Sequence, residues 1–287
     1  MTDVRLNKVI GRFLAGEVVV SSVPVANGSV EEAQAYGDAD FDMVIFEMEH
    51  FGFDFVGLRH SLQAMLNRRR IHEDGLAPSV VPTTRIPPNA GETSQWIIKQ
   101  ALDIGVYGFI APQVKTPEEA LAIVKAARYP ARRGSSLGGG ERGYWPQVAA
   151  RYWGLSQADY IERADVWPLN PDGEILIVAL IESRRGVENL ERILDATNGI
   201  GAIWPGPGDM ATDMGLAVTQ PPHPEVEEQL AQVLTICSSR GVPCAAAAVS
   251  VEDAVARVAQ GFQVILTPLV RGAAAAVRAQ PHPVRPT

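Results

Sequence analysis

Apolar runs and amphipathic stretches alternate along this chain eight times. The clearest run, Ile175-Leu176-Ile177-Val178-Ala179-Leu180-Ile181, is unbroken and rich in β-branched residues. It predicts a strand buried on both faces, as in parallel sheets. Shorter runs predict strands at 18–22, 42–47, 77–84, 106–111, 202–204, 243–248 and 262–266. Helical periodicity lies between them, after a first amphipathic segment at 6–14. Ser29 with Glu32 forms a capping box, and Thr116-Pro117 supplies a cap and a first-turn proline. Further helices are expected at 54–69, 91–103, 185–196, 224–240, 251–259 and 269–279. Strict alternation implies parallel strands joined by right-handed crossovers. Eight units in 287 residues favour one domain, a closed (β/α)8 TIM barrel over 1–287, above an open doubly wound sheet.

The rhythm breaks at about 130–170, a stretch rich in Gly, Arg and aromatics. A connection this long is functional or carries elements of its own, and short helices are expected near 149–152 and 157–164. The tail 280–287, with three prolines, is expected to be loose. No G-x-G-x-x-G opens a helix after the first strand, and no P-loop lysine motif occurs, which leaves nucleotide binding weakly supported.

Charge narrows the partners. A formal net charge of −8 leaves no electrostatic footprint for nucleic acid or an anionic membrane. No apolar stretch approaches the roughly 18–20 residues of a membrane span. The start has no signal-peptide core, so a cytoplasmic protein is expected. Cys237 and Cys244, spaced C-x6-C, fit no common zinc motif and read as two buried small residues in a reducing compartment.

The chemistry gathers where strands end. The run 175–181 delivers Glu182, and the next ends in Pro205-Gly206-Pro207-Gly208 and Asp209. In a parallel α/β fold ligands sit at that end. Two hard oxygen ligands there suit Mg2+ or Mn2+; equally, each acid precedes a helix and can serve as its N-cap. Other strand ends contribute Glu47, Glu49, His50, Arg85, Gln113 and Lys115. His50 beside carboxylates suits proton transfer, with Glu47 holding its tautomer, or it caps a surface turn. Arg85 suits a carboxylate substrate or a plain salt bridge, and Glu49 a solvated loop. His60, His72, His223 and His282 read as structural or exposed.

The segments Phe41-Asp42-Met43-Val44-Ile45-Phe46-Glu47-Met48-Glu49-His50, Arg85-Ile86-Pro87, Ile181-Glu182-Ser183-Arg184 and Gly206-Pro207-Gly208-Asp209-Met210 together resemble the HpcH/HpaI aldolases, over about 29–279. That resemblance implies a (β/α)8 barrel assembled as a hexamer, a trimer of dimers exchanging the C-terminal helix. It implies Glu182 and Asp209 as ligands of Mg2+, Mn2+ or Co2+, and a 2-oxo acid bound near Gly206, Pro207 and Gly208. Arg85 would steady the enolate. His50 would be the base, oriented by Glu47 where relatives carry Asp. Arg133, in Arg133-Gly134, would border the substrate entrance. Leu180 stands where these aldolases commonly have glutamine, and the aromatic 144–153 segment is longer than in short members. Both bear on the acceptor pocket.

The expected activity is reversible cleavage of a 4-hydroxy-2-oxo acid to pyruvate and an aldehyde. A divalent cation stabilises the enolate without a Schiff-base lysine, and only Lys115 sits near a strand end. The competing readings are an oxaloacetate decarboxylase, synthase or acyl-CoA-type lyase, and a barrel that binds a 2-oxo acid without turnover.

Overall fold

The computed structural model describes residues 5–88, 92–93, 95–268 and 272–280. Its strands are β1 (Val19–Ser22), β2 (Met43–Glu47), β3 (Val81–Arg85), β4 (Gly108–Ala111), β5 (Val166–Trp167), β6 (Ile175–Ile181), β7 (Ala202–Pro205), β8 (Ala245–Ala247) and β9 (Val264–Thr267). All pair in parallel, as the alternation of runs predicts. The sheet runs β5-β6-β4-β3-β2-β1-β9-β8, and β7 lies beside β6. The first and last long strands are therefore neighbours, with Val19 opposite Val264. At the remaining seam, β7 and β8 meet through one isolated bridge, Ile203 with Cys244, rather than a ladder. The sheet is thus a curl of eight strands plus the two-residue β5, which periodicity did not reveal because two residues carry no period.

Alternation along each strand fixes what faces inward. Met43, Ile45, Leu176, Val178 and Trp204 converge with Phe13 of the helix Lys8–Leu14, which plugs the N-terminal end of the curl. The same parity carries Glu47 and Leu180, then Glu182, onto this inner face above the apolar layers.

The expected helix at 54–69 is two helices, Phe55–Ala64 and Arg68–Asp74. The break has a local cause, since the Asn67 side chain accepts from the N–H groups of Arg69 and Arg70 and caps a new start. The predicted capping box of Ser29 with Glu32 forms, and the predicted Thr116 cap forms as well, completed to a box by Glu119. The 130–170 stretch folds into Gln147–Trp153, Gln157–Arg163 and β5.

That stretch joins the end of the helix Pro117–Ala127 to the start of β6, so it lies at the N-terminal ends of the strands. Trp153 stacks on Tyr107 at 4.1 Å between ring centroids and donates Nε1–H to Gly105 O at 2.8 Å. Tyr152 and Trp153 are core, while Tyr144 and Trp145 are exposed. Within its own chain this aromatic segment is a floor rather than a lid. The helix Ala273–Arg278 packs on the chain's own Val251–Gln260 helix and β1, which differs from the exchanged arrangement that the resemblance implies. The predicted loose tail lies outside the described residues beyond 280. Cys237 and Cys244 are free and buried. Among the described residues no helix is long and apolar enough to cross a membrane.

Candidate active site

Strands β2, β3 and β6 deliver their terminal side chains to one end of the curl, where Glu47 pairs with Arg85 in the β2–β3 register. Glu47 is buried, and its Oε1 accepts the backbone N–H groups of Glu49 (2.6 Å) and His50 (3.2 Å). Its Oε2 accepts Arg85 Nε at 2.7 Å and contacts Nη2. The group nearest the imidazole is a different acid, because Glu49 Oε2 lies 3.4 Å from His50 Nε2 and 3.1 Å from Arg85 Nε. Glu47 was expected to orient His50, and its contact with that residue is to the backbone N–H rather than to the ring. It braces the loop backbone and the guanidinium, while Glu49 meets the histidine. The signal for Glu49 was present, because residues two apart on a strand end share a face. His50 itself is exposed.

Glu182 is buried, and its Oε1 accepts the Gln113 N–H at 2.8 Å. Gln113 makes that donation from φ +59°, in the left-handed region that a non-glycine residue adopts at a cost of order 1–3 kcal/mol. Such strain concentrates at working sites, and nothing in the residue type of Gln113 marks it. Neither acid is an N-cap. Ser183 caps the helix Arg184–Ala196 by accepting from Gly186 N–H, and the helix Pro207–Asp213 starts from Gly206 without a side-chain cap. Asp209 sits in that first turn, exposed. Gly206 is required by contact, since a Cβ there would lie 2.9 Å from Glu182 Oε2. Pro207 and Gly208 are half-buried beside it.

The electrostatics are lopsided. Burial pushes the Glu182 carboxyl up to about 8, with Asp209 and Glu49 adding repulsion against the Gln113 donation and Arg85. Burial likewise raises Glu49, opposed first by Arg85 and then by His50, and reinforced by Glu47 and Asp209. Among the described residues, Glu47, Glu49, Glu182 and Asp209 thus lie around a single cation, Arg85, and a single histidine, His50. A divalent cation is the natural counter-charge, since a bound metal inverts the local logic that holds such acids protonated. Among the described residues no group of three or more His, Cys, Asp or Glu is disposed to hold a metal. Two carboxylates with the remaining positions left to substrate and water match how Mg2+ is commonly held. The donor set fits.

Arg133 is not in this cluster. It is exposed in the loop after Pro117–Ala127, at the opposite ends of the strands, so in its own chain it does not border the site.

A parallel α/β sheet presenting inward acids, an arginine and a histidine at its strand ends has the layout of an enzyme site in this class of fold. The chain belongs to the HpcH/HpaI aldolase/citrate lyase family, whose profile matches residues 25–267. It is 32% identical over 211 residues to a 5-keto-4-deoxy-D-glucarate aldolase from Salmonella arizonae, covering 74% of this chain and 70% of that one. It is 26% identical over 238 residues to a hydroxypyruvate/pyruvate aldolase from Paraburkholderia phytofirmans, covering 83% and 82%. Among solved structures, a family protein from Burkholderia cenocepacia J2315 superposes with a TM-score of 0.74 at 25% identity, covering 91% of this chain and 93% of that one.

Proposed function

We propose that this chain is a divalent-metal-dependent class II aldolase that reversibly cleaves a 4-hydroxy-2-oxo acid to pyruvate, or a close analogue, and an aldehyde. The observation that carries the reading is the buried Glu182 carboxylate at the end of β6, held by the strained Gln113 N–H amid a surplus of acids. The aldolase names of two relatives support the same reaction class.

In the cleavage direction the C4 hydroxyl proton passes to His50, directly or through a water, and the C3–C4 bond breaks. C4 becomes the aldehyde carbonyl, and the bonding pair moves to C3 and into the 2-oxo group as an enolate. Protonation of C3 then gives pyruvate. A divalent cation held by Glu182 and Asp209, whether Mg2+, Mn2+ or Co2+, would supply Lewis-acid stabilisation of the developing charge. Arg85, braced by Glu47 and Glu49, adds a fixed positive charge beside it. Glu49 keeps the imidazole turned toward the site, and the backbone of Gly206-Pro207-Gly208 would receive the substrate carboxylate. We also infer that the eight long strands close as a (β/α)8 barrel, supported by the β1–β9 ladder and the Ile203–Cys244 bridge. Assembly as a homo-oligomer belongs to the same reading, and light scattering of the native protein tests it.

The functional test is proton exchange. Pyruvate methyl signals are followed by NMR in D2O, with EDTA or with added Mn2+ or Mg2+. Exchange that requires the metal and is lost in Asp209→Ala supports the proposal. Exchange that persists equally in EDTA sinks the metal, and no exchange under any metal sinks the enolate.

A further inference from the structure

The two loops that carry the histidine and lead away from the arginine also carry large exposed aromatic side chains. β2 ends in Glu47-Met48-Glu49-His50 and continues at once into Phe51-Gly52-Phe53. Phe51 is 65% exposed and Phe53 45%. The connection after Arg85 leads to Trp96, the first residue of the helix Trp96–Ile104, which is 51% exposed. The loops meet edge to face, with Phe53 5.7 Å from Trp96 and 4.7 Å from Phe55 between ring centroids. None of these rings is fully buried; Phe51 directly follows His50 in the chain, and the Phe53–Trp96 pair joins the segments that follow β2 and β3. Exposed aromatics grouped at the mouth of a site call for an occupant.

Two occupants compete, a second protein surface and part of the substrate. Three rings, each about half exposed, offer on the order of 300 Å2, well short of the roughly 800 Å2 that each partner gives to a stable interface. The cluster has the size of one small group. The direction of the chemistry agrees. The aldehyde forms where the C4 hydroxyl gives up its proton, so its carbon lies against His50, and the substituent on that carbon extends toward the loop that follows His50.

We propose that Phe51, Phe53 and Trp96 form the acceptor subsite, and that the aldehyde partner carries an aromatic or large apolar substituent rather than a chain of hydroxyl groups. This rests on the aldolase reading above and adds the substrate class to it. A polyhydroxylated acceptor would leave its hydroxyls facing rings that offer no hydrogen bonds.

The experiment measures kcat and KM for pyruvate addition to phenylacetaldehyde and to glyceraldehyde, with Mn2+ present. The wild-type protein is compared with Phe53→Ala, Trp96→Ala and Phe53→Leu, and pyruvate methyl exchange is recorded for each. The expected result is a preference for phenylacetaldehyde of about tenfold or more. Each alanine variant should remove most of that preference, raising KM for phenylacetaldehyde far more than for glyceraldehyde, and pyruvate exchange, which needs no acceptor, is the control. Phe53→Leu should keep most of it. No aryl preference, or an equal loss for both aldehydes, overturns the subsite while exchange still upholds the enolate chemistry. Variants that change only the native mass by light scattering overturn it in favour of an interface between copies. Absent pyruvate exchange in the wild type overturns the reading beneath it, and the two failures are told apart by that signal alone.

Discussion

Arg85 and Arg142 are both held by carboxylates, yet one stands in a region left anionic and open and the other in a region neutralised and filled. Arg142 is 1% exposed. It donates to Asp103 Oδ1 from Nε and Nη2 (3.1 and 2.8 Å) and to Tyr160 Oη at 2.8 Å, with its guanidinium 4.5 Å from the centre of the Tyr129 ring. Around it Tyr160 donates to Leu102 O, and Trp153 closes against Tyr160 and Tyr107. One charge meets one counter-charge and the rest is aromatic packing. Arg85 has two acids in contact, Glu47 and Glu49, while Asp209 raises the carboxyls of both Glu49 and Glu182. Stability is served by the first arrangement, whereas the second gains nothing until a cation or substrate arrives. Unsatisfied charge, not the presence of an arginine, marks the working site.

The largest effect should come from the acids that leave the site unsatisfied. Under the proposed two-carboxylate metal site, Glu182→Gln and Asp209→Ala should each reduce kcat/KM roughly 10^3-fold or more, because each would remove one of its two protein ligands to a Lewis acid worth several kcal/mol. Stability should move the other way. A carboxyl whose folded pKa is raised to about 8 weakens the fold as pH climbs from its unfolded value toward 8. In EDTA at pH 8, Glu182→Gln should therefore melt a few degrees above wild type, and the gap should narrow toward pH 5. Retained turnover in either variant would remove the functional half of the comparison.

Arg142→Ala tests the other half. Breaking the pair and emptying a full-length side-chain volume should cost about 3 kcal/mol, at the lower end for a buried pair because Asp103 keeps partial access to water. That corresponds to roughly 5–10 °C of melting temperature. Turnover at 25 °C should stay within about twofold of wild type. A variant that remains folded by circular dichroism but loses activity would show that the floor and the site are coupled.

Glu49→Gln separates the two acids that touch Arg85. The amide still reaches the guanidinium but no longer favours the imidazolium that forms when His50 takes a proton, and proton transfer by a positioned histidine contributes about 10^2–10^4-fold. A fall of about tenfold in kcat with KM within twofold is expected. Equal effects from Glu47→Gln would return the orienting role to Glu47.

How legible this was differs between the same two regions. Inward placement of Glu47 and Glu182 follows from period two in strands whose apolar runs are unmistakable, and Arg85, at the end of the more polar Val81–Arg85, takes its place from the register opposite Glu47. Which acid meets His50 could not be read from spacing, since that is decided by a turn of backbone that Glu47 itself holds through two N–H groups. The left-handed Gln113 carries no sequence mark, because glycine or asparagine is the expected residue there. The two Arg-Gly pairs show the limit best. Arg133-Gly134 and Arg142-Gly143 are alike as text, yet Arg133 is exposed in a loop and Arg142 is among the most buried side chains. Only the packing of Gln147–Trp153 and Gln157–Arg163 against Tyr107 distinguishes them, and that packing is long-range.

The smallest expected effect sits on the floor and sets its pH response. Asp165 accepts Arg128 Nε and Nη2 at 2.6 and 3.0 Å, Asn170 Nδ2 at 3.0 Å and the Val166 N–H at 2.8 Å. Burial pushes its carboxyl up, but the Arg128, Val166 and Asn170 hydrogen bonds outweigh it and leave the folded pKa below the ordinary value. An acid depressed in the folded state contributes stability that is complete above its unfolded pKa of about 3.9 and is lost as pH falls through the folded value. Asp165→Asn keeps the shape and one acceptor, so at pH 7 it should cost only about 1 kcal/mol, the net worth of the charge assistance. The difference from wild type should begin to shrink as pH falls below the unfolded value and should close only below the depressed folded value, where the native carboxyl is protonated too, and turnover at pH 7 should not change. Thermal melts at pH 7 and pH 3 decide it. A penalty that stays constant across that range would mean that Arg128 binds the shape of the side chain and not its charge, and the floor would then be held by packing alone.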